Sequence, residues 1–249
     1  MKDLVTVRKD NQMIQNNRFT LSLQEQRIML FLISKIKPWD SELEEYEFSV
    51  TEFSSMCGLD EYQSGRTYAE IKAIIKGLRD KSMWIETEPG VETAVSWIAK
   101  ARMDKRHQAI KIKLDDDLRP YLLELKSCYT EYELIYALNF KSKYTVRLYE
   151  VAKSIHGKKL GTTEIKYNLS DFRKLLGVQQ DDYPLFANLR QRVLEPALRE
   201  VNESSDINLL LTPLKSGRKV TAIDILIADK PPEEMLEIHS RLTEARDRT

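Results

Sequence analysis

The 249-residue sequence predicts an α+β protein built from two copies of one small helix-and-strand unit. The first observation is a repeated pattern: YEFSVTEFSSMCGL, over Tyr46–Leu59, returns as IKYNLSDFRKLLGV over Ile165–Val178. In both stretches apolar residues first alternate and then recur at helical spacing, and a glycine (Gly58, Gly177) follows the helix. The second observation is that helical segments flank both stretches, and strand segments follow in the same order.

In the first copy, Ser22 and Glu25 form a predicted capping box at the start of a buried helix, LSLQEQRIMLFLISKI. The strand and helix of Tyr46–Leu59 come next. A third helix, TYAEIKAIIKGLRDKSM, is expected to begin with a second capping box made by Thr67 and Glu70. The segments MWIETE, ETAVSWIAKA and AIKIKL then alternate with period two, which predicts β-strands.

In the second copy, KSKYTVRLYEVAKSI supplies the first helix and Ile165–Val178 the strand and second helix. The third helix is expected after Asp182, a favourable N-cap residue, with Pro184 in its first turn. Pro196 lies inside this helix and predicts a kink. The strands INLLLTPL and KVTAIDILIA flank a tight turn, KSGRK.

Helix, strand, helix, turn, helix and β-hairpin is the order of a winged helix, a helix-turn-helix motif followed by a β wing. The predicted fold is therefore α+β, with two tandem winged-helix domains related by internal duplication. Gly58 and Gly177 are expected in the left-handed conformation at the end of the second helix. We expect an N-terminal tail at residues 1–17, a first domain at 18–126, a second domain at 127–230 and a C-terminal tail at 231–249.

The composition is that of an ordinary globular protein, but its charge is unevenly distributed. Basic and acidic residues number 39 each, so the net charge is zero. No apolar run is long enough to cross a membrane, no secretory signal is evident and the two cysteines indicate reduced thiols, so we expect a cytoplasmic protein. Asp40–Glu61 holds eight acidic residues and no basic one, whereas Lys100–Lys113 and Lys141–Lys159 each hold six basic residues and one acidic residue. Such segregation fits either ordinary solvated faces or separate acidic and basic binding surfaces.

A helix-turn-helix places its last helix in the major groove of DNA, and a wing contacts phosphates. On the third helix of the second copy, Arg190 lies at the edge of the exposed face, and the residues that point outward are Asn188, Gln191, Arg192 and Arg199. Side chains of these types form bidentate hydrogen bonds with adenine and guanine. The predicted DNA contacts are Arg66, Lys72 and Lys76 in the first copy, and Asn188, Arg190, Gln191, Arg192, Lys215, Arg218 and Lys219 in the second.

Residue patterns typical of catalytic or metal sites are missing from the sequence. His107, His156 and His239 are isolated, so the tyrosine-and-histidine site of a DNA-nicking enzyme is not formed. The segment HGKKLG, over residues 156–161, lacks the first glycine of a phosphate-binding loop. We therefore expect a protein that is not an enzyme and that uses no cofactor and no metal ion.

Five segments together resemble the replication initiator (Rep) proteins of theta-replicating plasmids. They are LSLQEQRIMLFLISKI, EFSVTEFSSMCG, KSKYTVRLYEVAKS, YNLSDFRKLLGV and VLEPALREVN, and the resemblance covers residues 5–228. It implies two winged-helix domains, with the main base contacts at Asn188–Arg192 and the wing at Lys215–Lys219. The zero net charge, and Glu195 and Glu200 beside the recognition helix, depart from the basic balance common in that family.

The resemblance also implies what the protein binds. Such initiators bind double-stranded DNA as monomers at directly repeated origin sites, called iterons. As dimers paired through the first domain they repress their own promoter, and they recruit host replication initiation proteins. The β-prone segments Ala94–Ala101 and Ala109–Leu114 either offer a sheet edge for such a dimer contact or are interior strands that are already paired.

Two other functions remain open on the residues alone. One is a winged-helix transcriptional regulator without a role in replication. The other is a protein-binding adaptor whose acidic stretch, Asp40–Glu61, is the working surface. DNA binding by an initiator or a regulator should weaken steeply with salt, which separates both from the adaptor. Only an initiator should support maintenance of a plasmid that carries its origin, which separates it from the regulator.

Overall fold

The computed structural model describes residues 5–16, 20–57, 64–88, 90–125, 128–157, 161–179 and 181–247, with the side chains of 56–57, 64–66, 86–88 and 247 left out. The chain divides into two compact units. The first unit comprises Met1–Met13 and Phe19–Leu134, and the second comprises Ile14–Arg18 and Ile135–Thr249.

The first unit contains the expected helix-and-strand order together with additional elements at both of its ends. In chain order these are β1 (Thr6–Asp10), α1 (Asn11–Gln15, shared with the second unit), α2 (Leu23–Lys35), β2 (Glu45–Ser49), α3 (Val50–Cys57), α4 (Ser64–Arg79), β3 (Ser82–Glu88), β4 (Val91–Ser96), β5 (Ile98–Asp104), β6 (Ala109–Leu114), a 3-10 turn (Asp116–Leu118), α5 (Arg119–Leu122) and β7 (Tyr129–Glu133).

The second unit repeats the order of helices and strands. Its elements are α6 (Leu134–Asn139, beginning at the boundary), α7 (Lys143–His156), β8 (Thr162–Asn168), α8 (Leu169–Leu175), α9 (Phe186–Leu189), a π-helical turn (Arg190–Leu194), α10 (Glu195–Ser204), β9 (Ile207–Ser216), β10 (Lys219–Asp229) and α11 (Pro232–Asp247).

Strand pairing confirms that both units are winged helices. In the first unit three antiparallel strands lie in the order β2-β6-β5, and in the second they lie in the order β8-β10-β9. In each case the strand before the helix-turn-helix pairs with the last strand of the hairpin that follows it. The wing of the first unit is therefore the β5–β6 turn, Lys105–Gln108, which we call the first wing. The β3–β4 ribbon is an insertion: within the described residues of the second unit, no strand pair lies between the third helix and the hairpin of the wing.

The repeated sequence pattern has a packing reason. In the first unit the rings of Phe48 and Phe53 lie 6.4 Å apart, and in the second the rings of Tyr167 and Phe172 lie 6.3 Å apart. Phe53 and Phe172 are completely buried. An aromatic residue near the end of the strand thus packs on a phenylalanine of the next helix in both units, which fixes the helix against its sheet.

The expected tails belong to the folded units. β1 pairs along its whole length with β7, and Val7 is completely buried. At the other end, Ile238 and Leu242 of α11 are buried one helical turn apart. Because β7 pairs with β1, the boundary between the units falls after Leu134 and not at residue 126.

Helix starts agree with the sequence prediction at one position and differ at two. The capping box of α2 is present, with Ser22 N–H donating to Glu25 Oε2 at 2.6 Å and Glu25 N–H donating to Ser22 Oγ at 3.3 Å. The Thr67 cap is wrong because α4 already begins at Ser64 and Thr67 is buried within it. The Asp182 cap is wrong too: α9 begins at Phe186 with no side-chain cap.

The turn before α9 is held by the helix that precedes it. Gly177 has a φ of 70°, as predicted for a left-handed helix end, whereas Gly58 lies outside the described residues. The guanidinium group of Arg173 donates hydrogen bonds to the carbonyl oxygens of Tyr183 (3.0 Å), Gln179 (3.2 Å) and Asp182. These bonds hold the loop before α9 but do not cap the helix, because they are made to carbonyl oxygens and not to the free N–H groups of its first turn.

The two strand segments proposed for a dimer contact are placed differently from expectation. Ala109–Leu114 is β6, the central strand of its sheet, and is paired on both sides. Ala94–Ala101 is divided at Trp97 between β4 and β5. Only the β5 part forms an edge of the three-stranded sheet, and the side chains of Val95 and Ile98 are buried.

Candidate nucleic-acid interface

The recognition helix of the second unit, Phe186–Ser204, contains a π-helical turn at the residues predicted to contact bases. The N–H of Glu195 donates to the carbonyl of Arg190, five residues back, instead of four. Pro196 has no N–H and could not donate to the carbonyl of Arg192. Where a kink was predicted at Pro196, the structure has a widened turn that begins before the proline.

The apolar stripe of this helix explains why a widened turn is needed. Leu189, Val193, Ala197 and Val201 are all buried and are spaced by four residues. Four residues of an α-helix advance about 400°, so each step moves such a stripe by about 40° around the axis. The extra residue of the π-turn offsets this drift and keeps all four side chains on the core.

The opposite face of the same helix is exposed and polar. Asn188, Arg190, Gln191 and Arg192 all have exposed side chains. The Nε of Arg190 lies 3.0 Å from Glu195 Oε1. Among the described residues, no ion pair or hydrogen bond involves the side chain of Arg192. Arg192 is thus available for a bidentate contact with guanine.

The second wing lies across a groove from this exposed face. We give the name second wing to the β9–β10 turn with its three exposed basic residues Lys215, Arg218 and Lys219. Gly217 in the turn has a φ of 61°, a conformation that favours glycine. The groove, of about 430 Å³, is lined by Arg190, Gln191, Glu195 and Lys215 among others. Helix and wing therefore present polar and basic groups to one shared space.

In the first unit the predicted contacts lie on α4. Lys72 and Lys76 are both exposed, but Lys76 Nζ lies 2.6 Å from Asp80 Oδ2, an ion pair one helical turn away. The side chain of Arg66 lies outside the described residues, although its backbone is part of α4. Lysine presents a single rotatable charge and suits phosphate better than a base edge.

The first wing and α4 enclose a larger groove, of about 730 Å³, in the same topological position as the groove of the second unit. Its basic lining residues are Lys72, Arg102, Lys105, Arg106, His107 and Lys111. The Nζ of Lys105 lies 5.0 Å from the ring centre of Tyr68, and the Tyr68 hydroxyl donates to the Met103 carbonyl at 3.3 Å. The first wing is therefore held to α4 by a cation–π contact, and β5, which leads into it, by a hydrogen bond.

The residues of the first wing were missed by the sequence analysis. The run Lys100–Lys113 gave a signal, but only the pairing of β6 with β2 reveals that its centre is a wing turn. Within it, His107 Nδ1 lies 2.7 Å from Asp104 Oδ2. This hydrogen bond raises the pKa of His107 and, with backbone N–H groups of His107 and Arg106, lowers the pKa of Asp104.

The two glutamates that depart from the family's charge balance have different surroundings. Glu195 pairs with Arg190 on the exposed face. Glu200 accepts hydrogen bonds from the backbone N–H of Lys141 at 3.2 and 3.3 Å, just before α7 begins. Glu200 therefore has a structural role, whereas Glu195 lies in the groove beside the second wing.

Two buried basic residues of the second unit belong to its core. Arg147 donates to the backbone carbonyls of Leu175, at 2.8 Å, and Ile14. His156 lies 2.8 Å from Thr163 Oγ1 and 3.2 Å from Asp229 Oδ2.

In the part of the chain that the structure describes, no cluster of three or more His, Cys, Asp and Glu residues could hold a metal ion. No helix of the described ranges has both the length and the apolar content to span a bilayer.

Comparison with known proteins gives consistent results over both units. The family described as "Initiator Replication protein, WH1" matches residues 6–153, and that described as "Initiator Rep protein, WH2" matches residues 168–227. The first match begins at β1, which agrees with the placement of that strand in the first unit.

An individual protein and a solved structure also match. A "Replication initiation protein" of Escherichia coli is 30% identical over 112 residues, which are 45% of this chain and 34% of that protein. The chain thus matches about a third of the length of this relative. The crystal structure of Pi initiator protein in complex with iteron DNA superposes with a TM-score of 0.72 over 92% of this chain and 99% of that chain. The sequences are 16% identical, so this likeness concerns the fold.

Proposed function

The chain belongs to the family of initiator replication proteins, and from this premise we propose that it initiates plasmid replication by binding directly repeated origin sites, or iterons, sequence-specifically. It acts by binding double-stranded DNA and has no catalytic step of its own. The cytoplasm is the compartment in which it would meet plasmid DNA.

The observation that carries this proposal is the presence of two grooves built alike. In each unit the third helix and the wing face a common space lined by basic side chains, including Lys72 and Lys105 in the first and Arg190 and Lys215 in the second. The major groove of B-DNA is about 12 Å wide and admits one α-helix. A helix placed there brings its wing to the neighbouring phosphates.

The second unit supplies most of the sequence specificity in this proposal. Its recognition helix exposes Asn188, Gln191 and Arg192, whose amide and guanidinium groups can each form two hydrogen bonds with one base. The first unit offers lysines on α4 and a basic wing, which suit phosphate contacts that fix position and contribute affinity.

Dimerisation through the first unit is a further part of the proposal. The inserted β3–β4 ribbon supports it, because Trp84 is 66% exposed and Val91 47% exposed. Exposed aromatic residues on an isolated ribbon are typical of protein contacts. The dimer would serve autorepression at an inverted repeat, and host replication initiation proteins are the further partners that the family suggests.

Footprinting on the DNA that flanks the protein's own gene tests the function. Several evenly spaced direct repeats protected by the protein support an initiator, and loss of plasmid maintenance on deletion of those repeats completes the test. A single protected palindrome with no effect on maintenance would favour the transcriptional regulator. Binding that is insensitive to salt would favour the protein-binding adaptor.

A further inference from the structure

We propose that Glu195 is a specificity-determining residue of the second unit, which together with Arg190 selects one G·C base pair in the DNA site. This inference rests on the proposed function, because it assumes that the recognition helix enters the major groove. It gives a function to one of the two glutamates that depart from the basic balance common in the family.

The pairing of these two residues depends on the π-helical turn. Five residues of an α-helix advance about 500°, which would place Arg190 and Glu195 about 140° apart around the axis. The bond from the Glu195 N–H to the Arg190 carbonyl closes one full turn over five residues and brings both side chains to the same face. Their Nε and Oε1 atoms are consequently 3.0 Å apart.

The pair leaves hydrogen-bonding capacity exposed. The side chains are 59% and 53% exposed, and the contact uses the Nε of Arg190 and one carboxylate oxygen of Glu195. Within the described contacts, both terminal nitrogens of Arg190 and the second oxygen of Glu195 have no other partner. The pair thus presents two donors beside one acceptor at the mouth of the groove that faces the second wing.

This arrangement matches one base pair better than the others. In the major groove a G·C pair shows two acceptors, N7 and O6 of guanine, followed by one donor, N4 of cytosine. Arg190 can donate to both guanine acceptors, and Glu195 can accept from the cytosine amino group. An A·T pair presents an acceptor, a donor and an acceptor in this order. The two adjacent donors of Arg190 and the acceptor of Glu195 do not complement that order.

A carboxylate in this position also acts against wrong sequences. Where the base pair is A·T or is reversed, Glu195 would face an acceptor such as thymine O4 or guanine N7, which repels its charge. The ion pair further restricts the rotamers of Arg190, so that the guanidinium group is oriented before DNA binds. Selectivity at one base pair is therefore the expected result, with little gain in total affinity.

The test compares the full chain with its Glu195→Ala and Arg190→Ala variants and the double variant. A binding site is first selected by the wild-type chain from a random DNA library, and each position is then substituted singly. The matched control is Glu203→Ala, which removes an exposed acidic side chain from the same helix. Circular dichroism checks that all variants are folded, as expected for exposed positions.

We expect both single variants to lose discrimination at the same G·C position by roughly tenfold or more. The double variant should lose less than the sum of the two single losses, because the two residues act on one base pair and Glu195 orients Arg190. The control should keep the wild-type preference at every position.

Two outcomes would overturn this inference alone. Glu195→Ala could raise affinity for all sequences equally, which would make Glu195 only a repulsive charge. The selected site could also keep every base preference in both variants. If the wild-type chain selects no sequence at all, the proposed function fails as well, so the two failures are distinguishable.

Discussion

Removing the charge of the first wing should weaken DNA binding by a calculable amount. The perturbation is Lys105→Ala combined with Arg106→Ala. The backbone of the turn is held by other groups: the Arg106 N–H donates to Asp104 Oδ1 at 2.8 Å, and Gln108 Nε2 donates to the Lys105 carbonyl at 2.8 Å. The turn therefore keeps its shape when the two side chains are truncated.

The magnitude follows from counterion release. Each phosphate contact contributes about 0.9 to the slope of log K against log salt. Two lost contacts should flatten the slope by about 1.8 and, at 0.15 M salt, weaken binding about 30-fold, or about 2 kcal/mol. Loss of the contact between Lys105 and Tyr68 should cost only about 0.5 kcal/mol of stability, because the lysine side chain is exposed.

The assay is fluorescence anisotropy with a labelled origin repeat over a series of salt concentrations. The control is Lys37→Ala combined with Arg119→Ala, which removes the same charge from the first unit outside the groove between α4 and the first wing. An unchanged slope in the wing variant would refute the reasoning. If the control variant loses as much DNA affinity as the wing variant, the effect comes from the net charge of the protein and not from a contact made by the wing.

Further predictions concern the second unit, the dimer and the core. Arg192→Ala should cost about 1–3 kcal/mol in DNA binding and relax preference at one position in single-base competition assays; an equal loss on every sequence would assign it to phosphate. Replacing all three basic residues of the second wing with alanine should flatten the salt slope by about 2.7, and an unchanged slope would exclude that wing from the interface. Trp84→Glu should yield a folded monomer in analytical ultracentrifugation where the control Trp39→Glu, at a still more exposed tryptophan, stays dimeric; a dimeric Trp84 variant would contradict the proposed contact. Phe172→Ala should lower the free energy of unfolding by about 3–5 kcal/mol in denaturant titrations, against almost no change for the exposed control Leu185→Ala, and similar values for both would contradict the core assignment.

The repeated unit was predictable because its signals are local. Alternation, helical spacing and a following glycine recur around Phe53 and Phe172, and these features depend only on neighbouring residues. The widened turn in the recognition helix also has a local signal. Four apolar residues spaced by four, with Pro196 among them, do not fit one face of a straight α-helix.

Apart from the two helix caps, the parts that were wrong or missed depend on contacts that local α-helical spacing and alternation do not reveal. β1 has five residues and becomes a strand by pairing with β7, more than a hundred residues later. Three alternating segments follow α4, and only the pairing of β6 with β2 separates the wing from the inserted ribbon. The contact between Arg190 and Glu195 requires the π-turn, so it could not be derived from α-helical spacing.

The central claim is that both winged-helix units of one chain contact DNA through their grooves. Hydroxyl-radical footprinting of the wild-type chain on an origin repeat, beside the first-wing and Arg192→Ala variants, tests it most directly. The account predicts two protected segments within one repeat, of which the first-wing variant loses one and the Arg192 variant weakens the other. A single protected segment, or two segments that both variants weaken alike, would contradict it.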